Sequence, residues 1–190
     1  GGLELLTHQR HADAEAAEYL CQAHRRPQPR LREGRILVEE GVLTAMDISD
    51  GLVDDLVKMM ATSGQAARLD SWHIPVHSFL RQVFAERAVH MALAGGEEYE
   101  LLYAAPPPVM ERTLARIPNA TAIGRVVSGP PGEVLVQDQE GNQLPYIDYL
   151  ETQNVDTREI QAAKSLGTSS YYPLEVGRYW VYQNGNGRGG

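Results

Sequence analysis

The sequence predicts a layered α/β (α+β) domain in which helices pack on a mixed sheet. Three observations carry that prediction. An apolar run of strand length at residues 42–46 passes through an acidic turn into Leu52, Val53, Leu56, Val57 and Met60, which recur at helical spacing. A second apolar stripe, Val76, Phe79, Leu80, Val83 and Phe84, follows Pro75, and proline is tolerated where a helix starts. Finally, helical and extended patterns alternate along the chain, which is the order of a layered fold and not of a bundle or a sandwich.

Residues 7–23 hold no Gly or Pro and predict one helix, stopped by Pro27 and Pro29. The Arg-rich stretch 24–35 is either a solvated connector or a phosphate-facing strip. Strand 42–46 and the acidic turn 47–51 lead to a helix that Gly64 can end. Residues 76–88 predict the next helix. Gly95 and Gly96 then precede a strand at 99–103, and the prolines at 106–108 open a helix at 109–116. Residues 121–127 predict a strand closed by Ser128-Gly129-Pro130-Pro131-Gly132, with 133–137 returning as its hairpin partner and a second turn at 140–142. Beyond Glu151 apolar periodicity fades; the aromatic segments near Tyr171 and Tyr179–Tyr182 predict a strand or a sticky extension.

Composition excludes several classes. The chain has 190 residues, a net charge of −8 and one cysteine, Cys21. A lone cysteine rules out an internal disulfide framework and a Cys-based zinc site. The acidic balance argues against general nucleic-acid binding. No run approaches the ~20 apolar residues of a membrane helix. The first residues lack the apolar segment of a signal peptide, which predicts a cytoplasmic protein.

Two stretches carry chemistry. In Asp47-Ile48-Ser49-Asp50-Gly51-Leu52 two carboxylates three positions apart can share a divalent cation such as Mg²⁺ at a helix start suited to phosphate. Ser49 can donate to the same group; alternatively Asp50 or Ser49 is only a helix cap. Asp54 and Asp55 suit the first helical turn or solvent. In Gly95-Gly96-Glu97-Glu98-Tyr99-Glu100 the glycines permit close backbone approach, and on a strand Glu98 and Glu100 would share one face. A tight turn with solvated acids is the other reading. The pairs His8/His11 and His73/His77 lack a third ligand. No phosphate-binding G-x-x-x-x-G-K-[ST] motif occurs.

Four motifs in order resemble the C-terminal half of thiamine-monophosphate kinases, relatives of aminoimidazole ribonucleotide synthetase. These are the run from His24 to Leu31 followed by Gly34, the run from Thr44 to Leu52, the run from Gly95 to Leu102, and Ile123-Gly124-Arg125-Val126. The resemblance implies a PurM C-terminal-domain-like fold over residues 1–150, an absent N-terminal domain, and an extension at 151–190 without a family counterpart. It implies ATP and Mg²⁺ as cofactors, thiamine monophosphate as acceptor, and a homodimer in the full-length form. Asp47, Ser49 and Asp50 would face phosphates and metals, with Asp50 and Ser49 catalytic, Asp47 and Asp50 on the metal, and Arg30 a phosphate contact. Gly95, Gly96, Glu97 and Glu98 would border the thiamine monophosphate pocket, with Tyr146 or Tyr149 against its rings. Glu98 stands where the family usually carries Asp. Two other functions compete: a non-catalytic module binding a phosphorylated ligand, and an interaction protein using the aromatic tail.

Overall fold

The computed structural model describes residues 1–8, 11–144 and 179–183. In chain order the elements are α1 (Gly2–His8), α2 (Ala14–Arg25), α3 (Leu31–Glu39), β1 (Thr44–Asp47), α4 (Leu52–Ser63), β2 (Ala66–Asp70), α5 (Ser78–Phe84), α6 (Ala88–Ala94), β3 (Leu101–Ala105), α7 (Pro107–Arg116), β4 (Ala120–Val127), β5 (Val134–Gln137) and β6 (Tyr179–Gln183). Among the described residues the strands form one sheet in the order β1-β3-β6-β4-β2-β5. Every pairing is antiparallel except β2 with β5. The predicted mixed sheet with packed helices is therefore what the chain forms.

β3 shows how the layers arise. Side chains alternate across a strand. Leu102 and Ala104 accordingly join a core with Leu52, Leu56 and Met60 of α4. Tyr103 and Ala105 join a second core with Ile36 and Leu37 of α3 and Met110 of α7. Residues 102–105 are at most 1% exposed, so β3 is covered on both faces and its run is continuously apolar. A third cluster, Leu20, Phe84, Ala88 and Met91, ties α2 to α5 and α6.

Several expectations are corrected. The single helix at 7–23 is two helices, because folding back lets Leu5 of α1 pack with Leu20 and Tyr19 of α2. The Arg-rich connector yields to α3 from Leu31 onward, since Ile36 and Leu37 have a core to enter. The helix at 76–88 breaks at Ala85, whose φ is +45°, and α6 redirects Met91 and Leu93 inward as far as Ala94. β2 was not expected, because Ala66-Ala67-Arg68-Leu69-Asp70 carries little side-chain pattern.

The expected hairpin between residues 121–127 and 133–137 does not form. β5 pairs in parallel with β2, which separates it from β4. Residues 128–133 cross the start of β2, where Gly132 N–H donates to Gln65 O (2.9 Å) and Ala67 N–H to Glu133 O (2.8 Å). β2 thus takes a partner on each edge, which a local hairpin would deny it. The turn at 140–142 forms as expected, with Asn142 N–H donating to the Asp138 carboxylate (2.7 Å). Residues 179–183 are a strand in the middle of the sheet.

Candidate functional site

The two chemistry-bearing stretches, some 45 residues apart, meet backbone to backbone. Residues 48–51 join β1 to α4, and residues 95–100 join α6 to β3. Glu97 N–H donates to Ser49 O (2.7 Å), Tyr99 N–H to Ile48 O (2.9 Å) and Ile48 N–H to Glu100 O (2.9 Å). A Cβ on Gly96 would lie 2.6 Å from Ser49 O, and one on Gly51 would lie 3.0 Å from Ala94 O at a φ of +138°. Both glycines are therefore demanded by close approach, and any side chain there would push the loops apart. Glu97 (φ +62°) and Tyr99 (φ +53°) hold left-handed backbone, a strain of about 1–3 kcal/mol each that persists only where surroundings enforce it. The expected strand at 99–103 begins only at Leu101 for this reason.

The loop sorts its carboxylates. Glu97 and Glu98 are exposed, whereas Glu100 is buried and takes a bidentate ion pair from Arg30 (2.8 and 2.6 Å). The expected common face for Glu98 and Glu100 is thus replaced by opposite environments. Arg30 is held at the cleft wall by Glu100, a fork-to-carboxylate geometry that fixes its direction.

On the other loop the organising residue is Asp55, one turn inside α4 and fully buried. Its carboxylate accepts from Ser49 N–H (2.8 Å), Asp50 N–H (3.0 Å) and Lys58 Nζ (2.7 Å). Lys58 also donates to the Asp50 carboxylate. Burial alone would raise the Asp55 carboxyl, but the Lys58 ammonium and the N–H groups of Asp50 and Ser49 hold it below its ordinary value. Lys58 is pushed the other way: burial opposes its charge, yet its bonds to Asp50 and Asp55 raise its pKa. Neither Asp50 nor Ser49 caps α4; Gly51 takes that position without a side-chain cap. The sequence placed Asp55 in the first helical turn or in solvent and gave neither it nor Lys58 a part in the site, although the i, i+3 spacing from acid to lysine inside the first turns was a usable signal.

These loops form one wall of an open cleft of about 1110 Å³. Arg30, Asp50, Gly95, Gly96, Glu97 and Glu98 line it, as does Asp54, which was expected to serve the first helical turn or to face solvent. Asp47 and Ser49 are not among its lining residues; Asp47 is exposed at the end of β1. Tyr146 and Tyr149 lie outside the described residues. Tyr19 and His77 supply a flat surface in the cleft, stacked at 4.2 Å between centroids and 20° between planes. Burial, and after it the charge of Glu98, pushes the Tyr19 hydroxyl up to about 12. His24 sits 3.9 Å from the Glu97 carboxylate. The pair His73 and His77 is divided: His77 Nδ1 accepts from Phe79 N–H (3.2 Å), and His73 faces Asp70 (3.8 Å).

The chain is similar to known proteins throughout this region. It is 34% identical over 143 residues to thiamine-monophosphate kinase of Escherichia coli strain K12, covering 73% of this chain and 44% of the relative. It is 34% identical over 119 residues to that of Methanopyrus kandleri, covering 60% of this chain and 37% of the relative. Among solved structures, AaThiL complexed with AMPPCP and TMP superposes with a TM-score of 0.63 at 30% identity, over 76% of this chain and 44% of the other. Thiamine-monophosphate kinase from Stenotrophomonas maltophilia K279a superposes at 0.61 and 28%, over 71% and 45%. The chain thus spans less than half the length of the curated relatives it matches. Residues 2–137 match the model of the AIR synthase related protein C-terminal domain, and the chain belongs to that family.

Proposed function

We propose that this chain supplies the C-terminal part of a kinase that transfers a phosphoryl group from ATP to thiamine monophosphate, giving thiamine diphosphate and ADP. The observation that carries this reading is the joining of residues 48–51 to residues 95–100 by main-chain hydrogen bonds on one wall of the cleft. Such a wall sets phosphate-site groups and acceptor-site groups at a fixed separation, which is what phosphoryl transfer by positioning requires. A structure that supports this reading is that of AaThiL complexed with AMPPCP and TMP.

Each residue has a task on this reading. Asp50 faces the phosphates, with Asp55 fixing its backbone and Lys58 its carboxylate. Ser49 acts through its backbone, which accepts from Glu97 and donates to Asp55. Gly95, Gly96, Glu97 and Glu98 border the acceptor, and Tyr19 with His77 offers a flat face to its rings. Arg30 presents a fixed guanidinium toward phosphate oxygens.

Magnesium fits this wall in part. Asp50 and Asp54 bring carboxylate oxygens to the cleft, the donors Mg²⁺ prefers beside water and phosphate. Among the described residues no group of three His, Cys, Asp or Glu side chains could hold a metal, so the remaining ligands would come from nucleotide, water or further protein. When bound, the cation offsets the repulsion between two phosphate anions. An acceptor that is already ionised phosphate needs no general base. A homodimeric, cytoplasmic full-length enzyme completes the proposal; no helix among the described residues is long and apolar enough to cross a membrane.

The test is to mix the 190-residue chain with ATP, Mg²⁺ and thiamine monophosphate, alone and together with the N-terminal half of a relative, and to assay thiamine diphosphate. The expected result is no product alone and product on complementation. Failure of both, with no heat on titrating millimolar thiamine monophosphate into the chain, sinks the proposal. Binding without turnover in any combination would favour the non-catalytic module instead.

A further inference from the structure

Of the four motifs that stand out in the sequence, Ile123-Gly124-Arg125-Val126 has no part in the cleft. It lies in β4, where the pairing with β6 shifts between Ala122 and Gly124. That bulge decides where Arg125 points. Ala120 packs with the α3 and α7 core, whereas Ile123 and Val126, three positions apart, both enter the α4 core on the other face of the sheet. Strict alternation would send Arg125 inward with Ile123. The extra residue turns it outward instead, the re-aiming that a bulge performs.

On the outer face Arg125 meets a like charge. Arg68 of β2 is its register partner, and it also stands outward, because Ala67 and Leu69 on either side of it enter the α4 core. Side chains directly opposite on antiparallel strands start about 5 Å apart, and like charges there are destabilising. Gly124 tightens the approach, since a Cβ on it would lie 2.2 Å from Arg68 O. Among the described residues neither arginine has an ion pair or a hydrogen bond, although the chain carries a net charge of −8. Arg30, Arg87, Arg112 and Arg116, by contrast, are all paired with carboxylates. Asp70, two residues from Arg68 and on the same face, is taken by Gln137 (2.7 Å) and faces His73 (3.8 Å). Glu133, whose carboxylate lies beside Gly129 and next to Ala66, pairs with neither arginine.

We infer that Arg68 and Arg125 form a phosphoanion site on the outer face of β2 and β4, in which one terminal phosphate group, free or carried on a small molecule, sits between two guanidinium forks. The strand register sets the forks side by side, and the missing counter-charge leaves both open. A carboxylate fills one fork, as Glu100 does for Arg30. A terminal phosphate has three oxygens and can fill two. Neither arginine lines the cleft, so the site stands apart from the proposed kinase reading.

The test is a titration of the full chain with pyrophosphate, inorganic phosphate and ADP at constant ionic strength, with chloride as reference. Arginine Nε–Hε resonances are followed by ¹⁵N NMR. Those of Arg68 and Arg125 should move together and saturate in the low millimolar range. Saturation by all three supports a site for any terminal phosphate, and saturation by ADP alone supports one for a nucleotide. Melting temperatures give an independent readout. In chloride, Arg125→Gln should melt about 1–3 °C above the unsubstituted chain, because the repulsion is gone. In about 10 mM pyrophosphate the order should reverse, because only the unsubstituted chain gains the bound anion. A drift without saturation that all arginines share overturns the inference. So does an equal gain in melting temperature from pyrophosphate in the unsubstituted chain and in one carrying both Arg68→Gln and Arg125→Gln, since any anion bound would then be held elsewhere.

Discussion

The turn into α4 and the centre of the sheet are both indispensable, and they are built in opposite ways. At the turn, one short stretch supplies its own order: Asp55 reaches back five and six residues to the N–H groups of Asp50 and Ser49. At the sheet centre, β3 waits for a strand that lies more than seventy residues further along the chain. The first region is local and the second is assembled at long range. Substitutions in the second should therefore cost more and be harder to anticipate from sequence, because there a single residue serves two strand partners.

The largest expected effect follows. Val181 pairs with Tyr103 on one side and Ala122 on the other. Val181→Pro removes a ladder N–H and fixes φ in a strand bonded on both edges, and should cost about 4 kcal/mol or more, up to loss of the fold. Leu135→Pro in β5, which pairs with β2 at one end of the sheet, should cost markedly less. Urea denaturation followed by circular dichroism measures both. Equal losses would mean that β6 does not carry the centre.

This contrast also explains what was legible. Leu52, Leu56 and Met60 announce α4 because helical spacing writes burial directly into the sequence, and all three are at most 1% exposed. The interlocked loops were half legible: Asp50, Gly96 and Glu98 stood out, but that Glu97 N–H would find Ser49 O is a tertiary fact with no local sign. β2 left little trace, because two alanines pack well in a crowded centre and announce nothing. The hairpin expectation failed since the turn residues 128–132 specify that the chain reverses, and not which strand it then joins. Asp55 was misjudged because a carboxylate in a first helical turn is ordinarily solvated, and only burial distinguishes this one.

Next in size is a change confined to the local region. Leu56 is 0% exposed between α4 and the sheet, and Leu56→Ala should cost about 3 kcal/mol with an unchanged urea m-value. A lowered m-value would show instead that the α4 layer unfolds by itself.

Gly96→Ala should cost about 2 kcal/mol, since the new methyl meets backbone, Ser49 O at 2.6 Å and Asp50 C at 3.0 Å, and backbone yields poorly. The diagnostic is hydrogen exchange: the amides of Glu97 and Tyr99, which bridge the loops, should exchange faster while those of β3 do not. Uniform acceleration would refute the loop-specific account.

The smallest effect is the most specific to the turn. Asp55→Asn keeps the side-chain shape but loses the charge that Lys58 answers, and should cost about 1–2 kcal/mol at neutral pH. The folded Asp55 carboxyl sits below its ordinary value, so folding favours its ionised form. That contribution is complete above the unfolded pKa of about 3.9 and disappears as pH falls through the lower, folded one. Protonated Asp55 then resembles the asparagine that replaces it. Melting temperatures of the two proteins should therefore differ most near pH 6–7 and converge in the acid limb below about pH 4. A gap that persists or widens on acidification would mean that the carboxylate is not what holds Ser49 and Asp50, and that the order of the turn comes from the opposing loop.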